Sequence, residues 1–329
     1  MIISVTERGT FKRCRKMWDY SSLSRQGLTS LAPPYALSFG TLVHKIHETW
    51  LEHPEAEPES VVAIAAVETA KTIAQTYIER VGVAPDSREL ASFEEQVSLA
   101  LDMFTNYKER WGASLPEGYT LMHAEQTLVL PIPGDYPCAR ANCGAYPYAY
   151  IHEIGGPPGH DWEPHQLEAT LDALMADSSG RLWILERKTY NSKPRIDALQ
   201  MNDQFIAYLW ALRQLNMGPV GGILYDGMWK RYKERRNLED LFFRVPLIRS
   251  PEEIDNFEVQ LRDEVLDMAN DPRIYRNARW EGCWDCQFTG PCMAEFRGED
   301  VEYAMQRFTK RKRTDDLWSQ NLNNSGDFA

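Results

Sequence analysis

The sequence predicts an α/β protein: a mixed sheet with flanking helices, a helical region before it and a cysteine-bearing segment after it. Three observations predict this. Two stretches, Glu59 to Arg80 and Glu94 to Trp111, are rich in Ala, Glu and long apolar residues and are bounded by Pro or Gly, as helices are. The pattern then changes to strand-like runs, two of which are joined by the turn Asp177-Ser178-Ser179-Gly180 and read as a hairpin. Near the carboxyl end, Cys283, Cys286 and Cys292 crowd into one short stretch.

In chain order, residues 1–40 are mixed and end in the loop Ala32-Pro33-Pro34-Tyr35. Thr41 to about His53 reads as a helix, with Leu42, Val43, Ile46 and Trp50 on one period. The two helices named above follow. Thr120 to Leu130 alternates like a strand and stops at Pro131. Residues 131–165 collect Gly, Pro and Tyr and read as an irregular excursion. Leu167–Ala176 and Arg181–Thr189 form the hairpin. Ile196 to about Asn216 reads as one amphipathic helix, Val220–Tyr225 and Leu241–Leu247 as further strands, and Glu252 to about Met268 as a last long helix. The cysteines and a polar tail with Lys310-Arg311-Lys312-Arg313 close the chain. Three regions result: 1–115, helical, with Cys14 and His44; 116–270, the sheet core; and 271–329, the cysteines and tail.

A chain of 329 residues, 43% hydrophobic and 26% charged, has the make-up of a soluble globular protein with one large domain or two ordinary ones. It has no run of about 18 apolar residues, so no transmembrane helix is expected. Its start is charged where a signal peptide needs an apolar core, which predicts a cytoplasmic location. In that reducing setting the six cysteines read as metal ligands or bystanders rather than disulfides. A net charge of −12 argues against a generally cationic nucleic-acid coat. It leaves room for a carboxylate site that loads divalent cations beside a local basic groove.

The hairpin carries the chemistry. Glu186 and Lys188 are two apart on a strand and share a face, while Arg187 points away. Pairing across the turn brings Asp172 beside Glu186, so two carboxylates and an ammonium converge. Hard oxygen ligands of this kind hold Mg²⁺ or Mn²⁺, which polarises a phosphate and lowers the pKa of a bound water. A nearby lysine can orient that water and offset charge in the transition state. Taken alone the spacing also fits a solvated Glu–Lys edge. Gly40-Thr41-Leu42-Val43-His44 adds an imidazole, a good divalent-metal ligand. Gln204 and Tyr208, four apart, share a helix face and could contact a nucleotide. Cys283, Cys286 and Cys292 are one ligand short of a four-thiolate site, which holds either Zn²⁺ or an iron–sulfur cluster, and a distant cysteine such as Cys14 must be brought in by the fold.

In order and spacing these parts resemble the RecB-type PD-(D/E)XK nucleases, which show a G-T-x-x-H helix, an Asp, a (D/E)-x-K strand and a Q-x-x-x-Y helix. Gly40 to His44, Asp172, Glu186 to Lys188 and Gln204 to Tyr208 match in turn, over roughly residues 1–300. The resemblance implies a restriction-endonuclease-like core. It implies that His44, Asp172, Glu186 and the Arg187 carbonyl bind Mg²⁺ or Mn²⁺, that Lys188 is catalytic, and that Gln204 and Tyr208 meet DNA. The chain is also similar to the iron–sulfur nucleases of CRISPR adaptation and of the AddB helicase–nuclease subunit. That likeness implies that Cys14, Cys283, Cys286 and Cys292 hold a [4Fe–4S] cluster as a structural clasp. Cys138 and Cys143 match nothing in the family and read as bystanders, and the excursion at 131–165 has no counterpart in it.

Other motifs fail on particular residues. Gly222 to Gly227 has Walker A glycine spacing, but Met228-Trp229 stand where Lys-Ser/Thr is needed. His47-Glu48-Thr49-Trp50-Leu51 lacks the second histidine of a zinc protease. The expected protein is therefore a DNA nuclease using a metal-activated water, more an exonuclease on single-stranded ends than an endonuclease. It would serve recombination, repair or end processing, or be a phage-encoded relative. The alternatives are a catalytically silent DNA-binding or scaffold protein of the same fold, and a zinc-stapled binding module.

Overall fold

A computed structural model describes residues 1–31, 35–133, 165–230, 237–270, 273–278 and 283–311. The chain opens with strand β1 (Ile2–Ser4), helices α1 (Val5–Arg13) and α2 (Arg15–Ser21), and strand β2 (Leu28–Ser30). Three long helices follow: α3 (Tyr35–Glu52), α4 (Pro58–Val81) and α5 (Ser87–Trp111). Then come β3 (Tyr119–Pro131), β4 (Gln166–Asp177), β5 (Leu182–Tyr190), α6 (Ile196–Gln200), α7 (Asp203–Gln214) and β6 (Val220–Trp229). Short α8 (Leu238–Leu241), β7 (Phe242–Leu247) and α9 (Pro251–Ala269) lead to helices at Thr289–Arg297 and Val301–Met305 and to β8 (Phe308–Lys310).

Six strands form one mixed sheet in the order β1-β4-β5-β6-β7, with β3 along the other edge of β4. α1, α7 and α9 cover one face, where Ile3, Phe11, Trp18, Leu171, Ile184, Phe205, Trp210, Phe257 and Leu261 form the largest core. On the other face α3, α4 and α5 build a second core around Leu42, Ile46, Trp50, Phe104, Tyr107 and Phe242. Among the described residues no helix is long and apolar enough to cross a membrane.

Local signals explain most element ends. Asp86 and Glu89 form a capping box that starts α5 at Ser87, earlier than the expected Glu94. Ser250 and Glu253 do the same for α9. The helix carrying His44 begins at Tyr35 rather than Thr41, so His44 sits well inside it instead of in its first turn. The single helix expected from Ile196 to Asn216 is two helices. Its break falls at Met201-Asn202, where the Asn202 side chain accepts from the Gln204 N–H at 2.9 Å and starts α7 afresh. An Asn competes with the helical backbone in this way, which an apolar periodicity does not register.

The first residues, which carry no clear periodicity, place β1 in the sheet: Ile2–Ser4 run parallel to Gln166–Glu168 of β4. The first and last described parts of the chain also meet. β2 pairs antiparallel with β8, Leu28↔Lys310 through Ser30↔Phe308. Lys16 and Tyr20 of α2 both bind Glu295, at 2.9 and 2.7 Å, and Tyr20 packs on Phe288 with ring centroids 5.2 Å apart.

Candidate active site

The expected residues come together where β4 and β5 part. These strands pair from Ala176↔Leu182 to Ala173↔Leu185, so Asp172 and Glu186 face each other just past the last pair. β1 uses the same edge of β4 but only at Gln166–Glu168, leaving an open stretch whose rim is Asp172. The alternation of β4 breaks there too: Leu171 and Ala173, two apart, enter different cores. Across the ladder, β3 pairs Ala124 with Ala173 and Gln126 with Leu171, while Glu125 between them takes a φ of 41°. A fork in the sheet lets side chains from both faces approach one point.

β5 continues past the fork with β6 as its ladder partner, Glu186↔Tyr225 through Tyr190↔Trp229. Glu186 is buried, and Lys188 Nζ lies 2.6 Å from its Oε1. Asp172 Oδ2 accepts from the Arg187 backbone N–H at 2.7 Å, which ties the two arms of the fork together. Its Oδ1 lies 3.2 Å from His44 Nδ1, reaching in from α3. From α7, Gln204 Nε2 donates to the Tyr208 hydroxyl at 2.7 Å. Tyr208 is buried and sits in the field of Glu186 and Asp172; burial and those charges hold its hydroxyl far above the usual range.

The two carboxyls are driven apart. Burial acts to raise Asp172, but the charge and hydrogen bond of His44, the Lys188 ammonium and the Arg187 N–H outweigh it and hold the group at about 2. At Glu186 burial prevails over the Lys188 charge and pushes the carboxyl up to about 7. The ion pair with Lys188 pulls the other way, yet Glu186 Oε2 is enclosed with no hydrogen-bond donor among the described residues, so we take burial as the larger effect. Burial disfavours the Lys188 ammonium as well, but Glu186 and Asp172 hold it above the ordinary lysine range.

The ligand set implied for one cation is assembled in part. His44 meets Asp172 and Lys188 meets Glu186, as two adjoining contacts. Among the described residues no three His, Cys, Asp or Glu side chains stand close enough to hold one metal ion. Taking up a cation there requires the basic partners to give way to it. A neighbour absent from the sequence reading is Glu125: burial and a hydrogen bond with Glu48 raise it to about 8, and Asp172 adds to the effect. Lys45 in turn bridges Glu48 and Glu68 at 3.0 and 2.9 Å. Nothing in the alternation of β3 flags Glu125, because its position follows from the skipped pair opposite Asp172.

Cys14, Cys283, Cys286 and Cys292 are all free thiols. Burial, then the thiols around them, push Cys286 and Cys292 up; Cys14 contributes to both shifts, so the first and last parts of the chain place these sulfurs in one another's field. The Asn277 backbone N–H donates to Cys14 Sγ at 3.3 Å, and the Asn277 side chain donates to the Arg13 carbonyl at 3.0 Å. Cys138, Cys143, Lys312 and Arg313 lie outside the described residues.

A chain with a forked mixed sheet and an Asp/Glu-x-Lys cluster at the fork has the make-up of a phosphodiester-cleaving enzyme. The sequence matches the PD-(D/E)XK nuclease superfamily over residues 2–293, and the protein belongs to that superfamily. Membership implies a metal-dependent nuclease acting on DNA, with Mg²⁺ or Mn²⁺ the usual ions. No curated protein is significantly similar to the chain. Among solved structures, that of SSO0001 is 15% identical and covers 75% of this chain and 92% of its own, with a TM-score of 0.29. A superposition that loose carries no weight for fold or function.

Proposed function

We propose that this protein is a RecB-type, Mg²⁺- or Mn²⁺-dependent deoxyribonuclease that works from single-stranded DNA ends. The fork supports the catalytic reading most directly. It sets an ionised Asp172, a buried Glu186 with an oxygen unpartnered among the described residues, and a charged Lys188 close together. His44, Asp172, Glu186 and the Arg187 carbonyl are the groups that would hold the cation. Bound there, a divalent cation supplies Lewis acidity to the scissile phosphate and to the attacking water. Lys188 orients that water and offsets negative charge as it grows on the phosphate. Gln204 and Tyr208, locked together by their hydrogen bond, steady the nucleotide on the α7 side. The test is cleavage of defined DNA substrates with and without Mn²⁺, wild type against Asp172→Ala. Cleavage unchanged by either the metal or the substitution would reject this chemistry.

The Cys14, Cys283, Cys286 and Cys292 thiols we assign to a [4Fe–4S] cluster with a structural role. The influence of Cys14 on Cys286 and Cys292 supports this, as does the N–H directed at Cys14 Sγ. A clasp of that kind suits a threaded strand with a free end. The net charge of −12 disfavours broad capture of duplex DNA, which relies on many Lys and Arg contacts to phosphate. Linear single-stranded DNA is therefore expected to be degraded faster than linear duplex, and circular single strands slowly. Equal rates on linear and circular single strands would make the enzyme an endonuclease.

A further inference from the structure

Behind the Glu186–Lys188 strand, on the face away from the fork, lies a buried layer of charge that the chemistry above does not use. Arg187 is 2% exposed and Asp226, its partner across the β5–β6 ladder, is fully buried. Asp226 Oδ2 accepts from the Tyr107 hydroxyl of α5 and from Arg244 Nε of β7, the latter at 3.0 Å. Arg244 also donates to the Tyr107 oxygen at 2.7 Å and stacks over Trp111, 4.1 Å from the ring centroid. His47, one turn along α3 from His44, sets its ring edge-on to Tyr107 at 4.6 Å.

The charges here do not balance in pairs. Arg187 and Arg244 bring two guanidiniums, and Asp226 is the carboxylate set among them. Burial first, and then the Arg187 charge, lower His47 well below its usual range, so it adds no positive charge. Among the described residues, Asp226 Oδ1 and Arg187 Nε have no hydrogen-bond partner; Arg187 Nη2 donates to the Ser114 carbonyl at 3.3 Å. A buried guanidinium held this sparsely is sensitive to the charge of the carboxylate beside it in the ladder.

We propose that Asp226, with Tyr107 and Arg244, is a positioning residue that acts through Arg187 on the backbone of the metal-binding strand. This rests on the nuclease reading above. Arg187 links the two sides. Its side chain enters the buried layer, its N–H holds Asp172 Oδ2, and its carbonyl is one of the groups assigned to the cation. Neutralising Asp226 removes the counter-charge paired with Arg244 and the negative charge beside Arg187 in the ladder. The strand that carries Arg187 then shifts, and Asp172 and the carbonyl lose their alignment. Groups that orient a ligand in this way change metal affinity by about ten-fold or more when removed.

The experiment is a double-mutant cycle read by Mn²⁺ binding, with free Mn²⁺ followed by electron paramagnetic resonance on the full chain. The variants are Asp226→Asn, Arg187→Met and the double; Arg187→Met keeps the backbone carbonyl. The expected result is that Asp226→Asn weakens Mn²⁺ binding about ten-fold and has little further effect once Arg187 is Met. If Asp226→Asn does not fold, Tyr107→Phe takes its place in the cycle, with a smaller loss expected. A merely structural role would lower the melting temperature and leave Mn²⁺ affinity unchanged, and that result overturns the inference. So do additive losses in the cycle. Wild-type protein that binds no Mn²⁺ rejects the nuclease reading and this inference together.

Discussion

Lys188 and Glu186 share one face of β5, while Arg187 between them enters the opposite layer. Removing the ammonium should therefore damage chemistry more than fold. Lys188→Ala is expected to lower cleavage by about 10²–10³-fold, the usual loss for one transition-state donor. Its far-ultraviolet circular dichroism and Mn²⁺ loading should stay near wild type; near wild-type turnover in Mn²⁺ would remove Lys188 from the mechanism. His47 makes a separate prediction. It is enclosed by Trp50, Phe104 and Tyr107, and burial keeps the folded imidazole neutral far below 6.5. The unfolded chain takes up that proton near 6.5, so this contribution is intact above pH 6.5 and is lost as pH falls below it, by up to about 1.4 kcal/mol per unit. Glu186 and Glu125, raised to about 7 and about 8, act in the opposite sense and gain stability as pH falls towards 4.5. The difference between wild type and His47→Leu isolates the histidine: from pH 7.5 to 5.5 the wild-type urea midpoint should fall relative to that of the variant. An equal pH response in both proteins would place the titrating group elsewhere.

Elements were legible in proportion to their local signal. The hairpin of β4 and β5 is patent from its alternation and turn, and its register puts Asp172 level with Glu186 as the spacing requires. Capping residues, by contrast, moved the start of α5 and split the helix that carries Gln204. The glycines of β6, which mimic a phosphate loop in spacing, have a packing reason instead. A Cβ on Gly227 would stand 2.4 Å from Phe243 Cε1, and one on Gly221 would stand 2.2 Å from Trp183 Nε1. Gly227 pairs with Lys188 in the ladder, so the crowding falls beside the site. Gly227→Ala is expected to destabilise by about 1–3 kcal/mol and to slow cleavage, read from denaturant melts and single-turnover rates. A variant as stable as wild type would show that Phe243 moves aside freely.

Across the whole molecule, the first and last described parts of the chain are joined by β2–β8 and by Glu295 with Lys16 and Tyr20. Such a link closes a loop of most of the chain, and a bonded link would lower the entropy of the unfolded state most. Protein purified without oxygen should be brown, with iron and acid-labile sulfide, and Cys14→Ala should bleach it and lower its melting temperature as much as Cys286→Ala does. Colourless protein with stoichiometric zinc would reject the cluster, and a Cys14→Ala protein as stable as wild type would reject the clasp. The α/β class and the hairpin were readable because strand period and turn chemistry are local properties, and the superfamily was readable from the resemblance that the order of the motif residues carries. The fork was not readable. It depends on β1 and β5 sharing one edge of β4 without filling it, on Glu125 turning at the level of Asp172, and on Asp226, the ladder partner of Arg187, finding Tyr107 and Arg244 behind the sheet. Those arrangements join residues well separated in the sequence, and only the packing of α3, α5 and α7 onto the two faces of the sheet decides them.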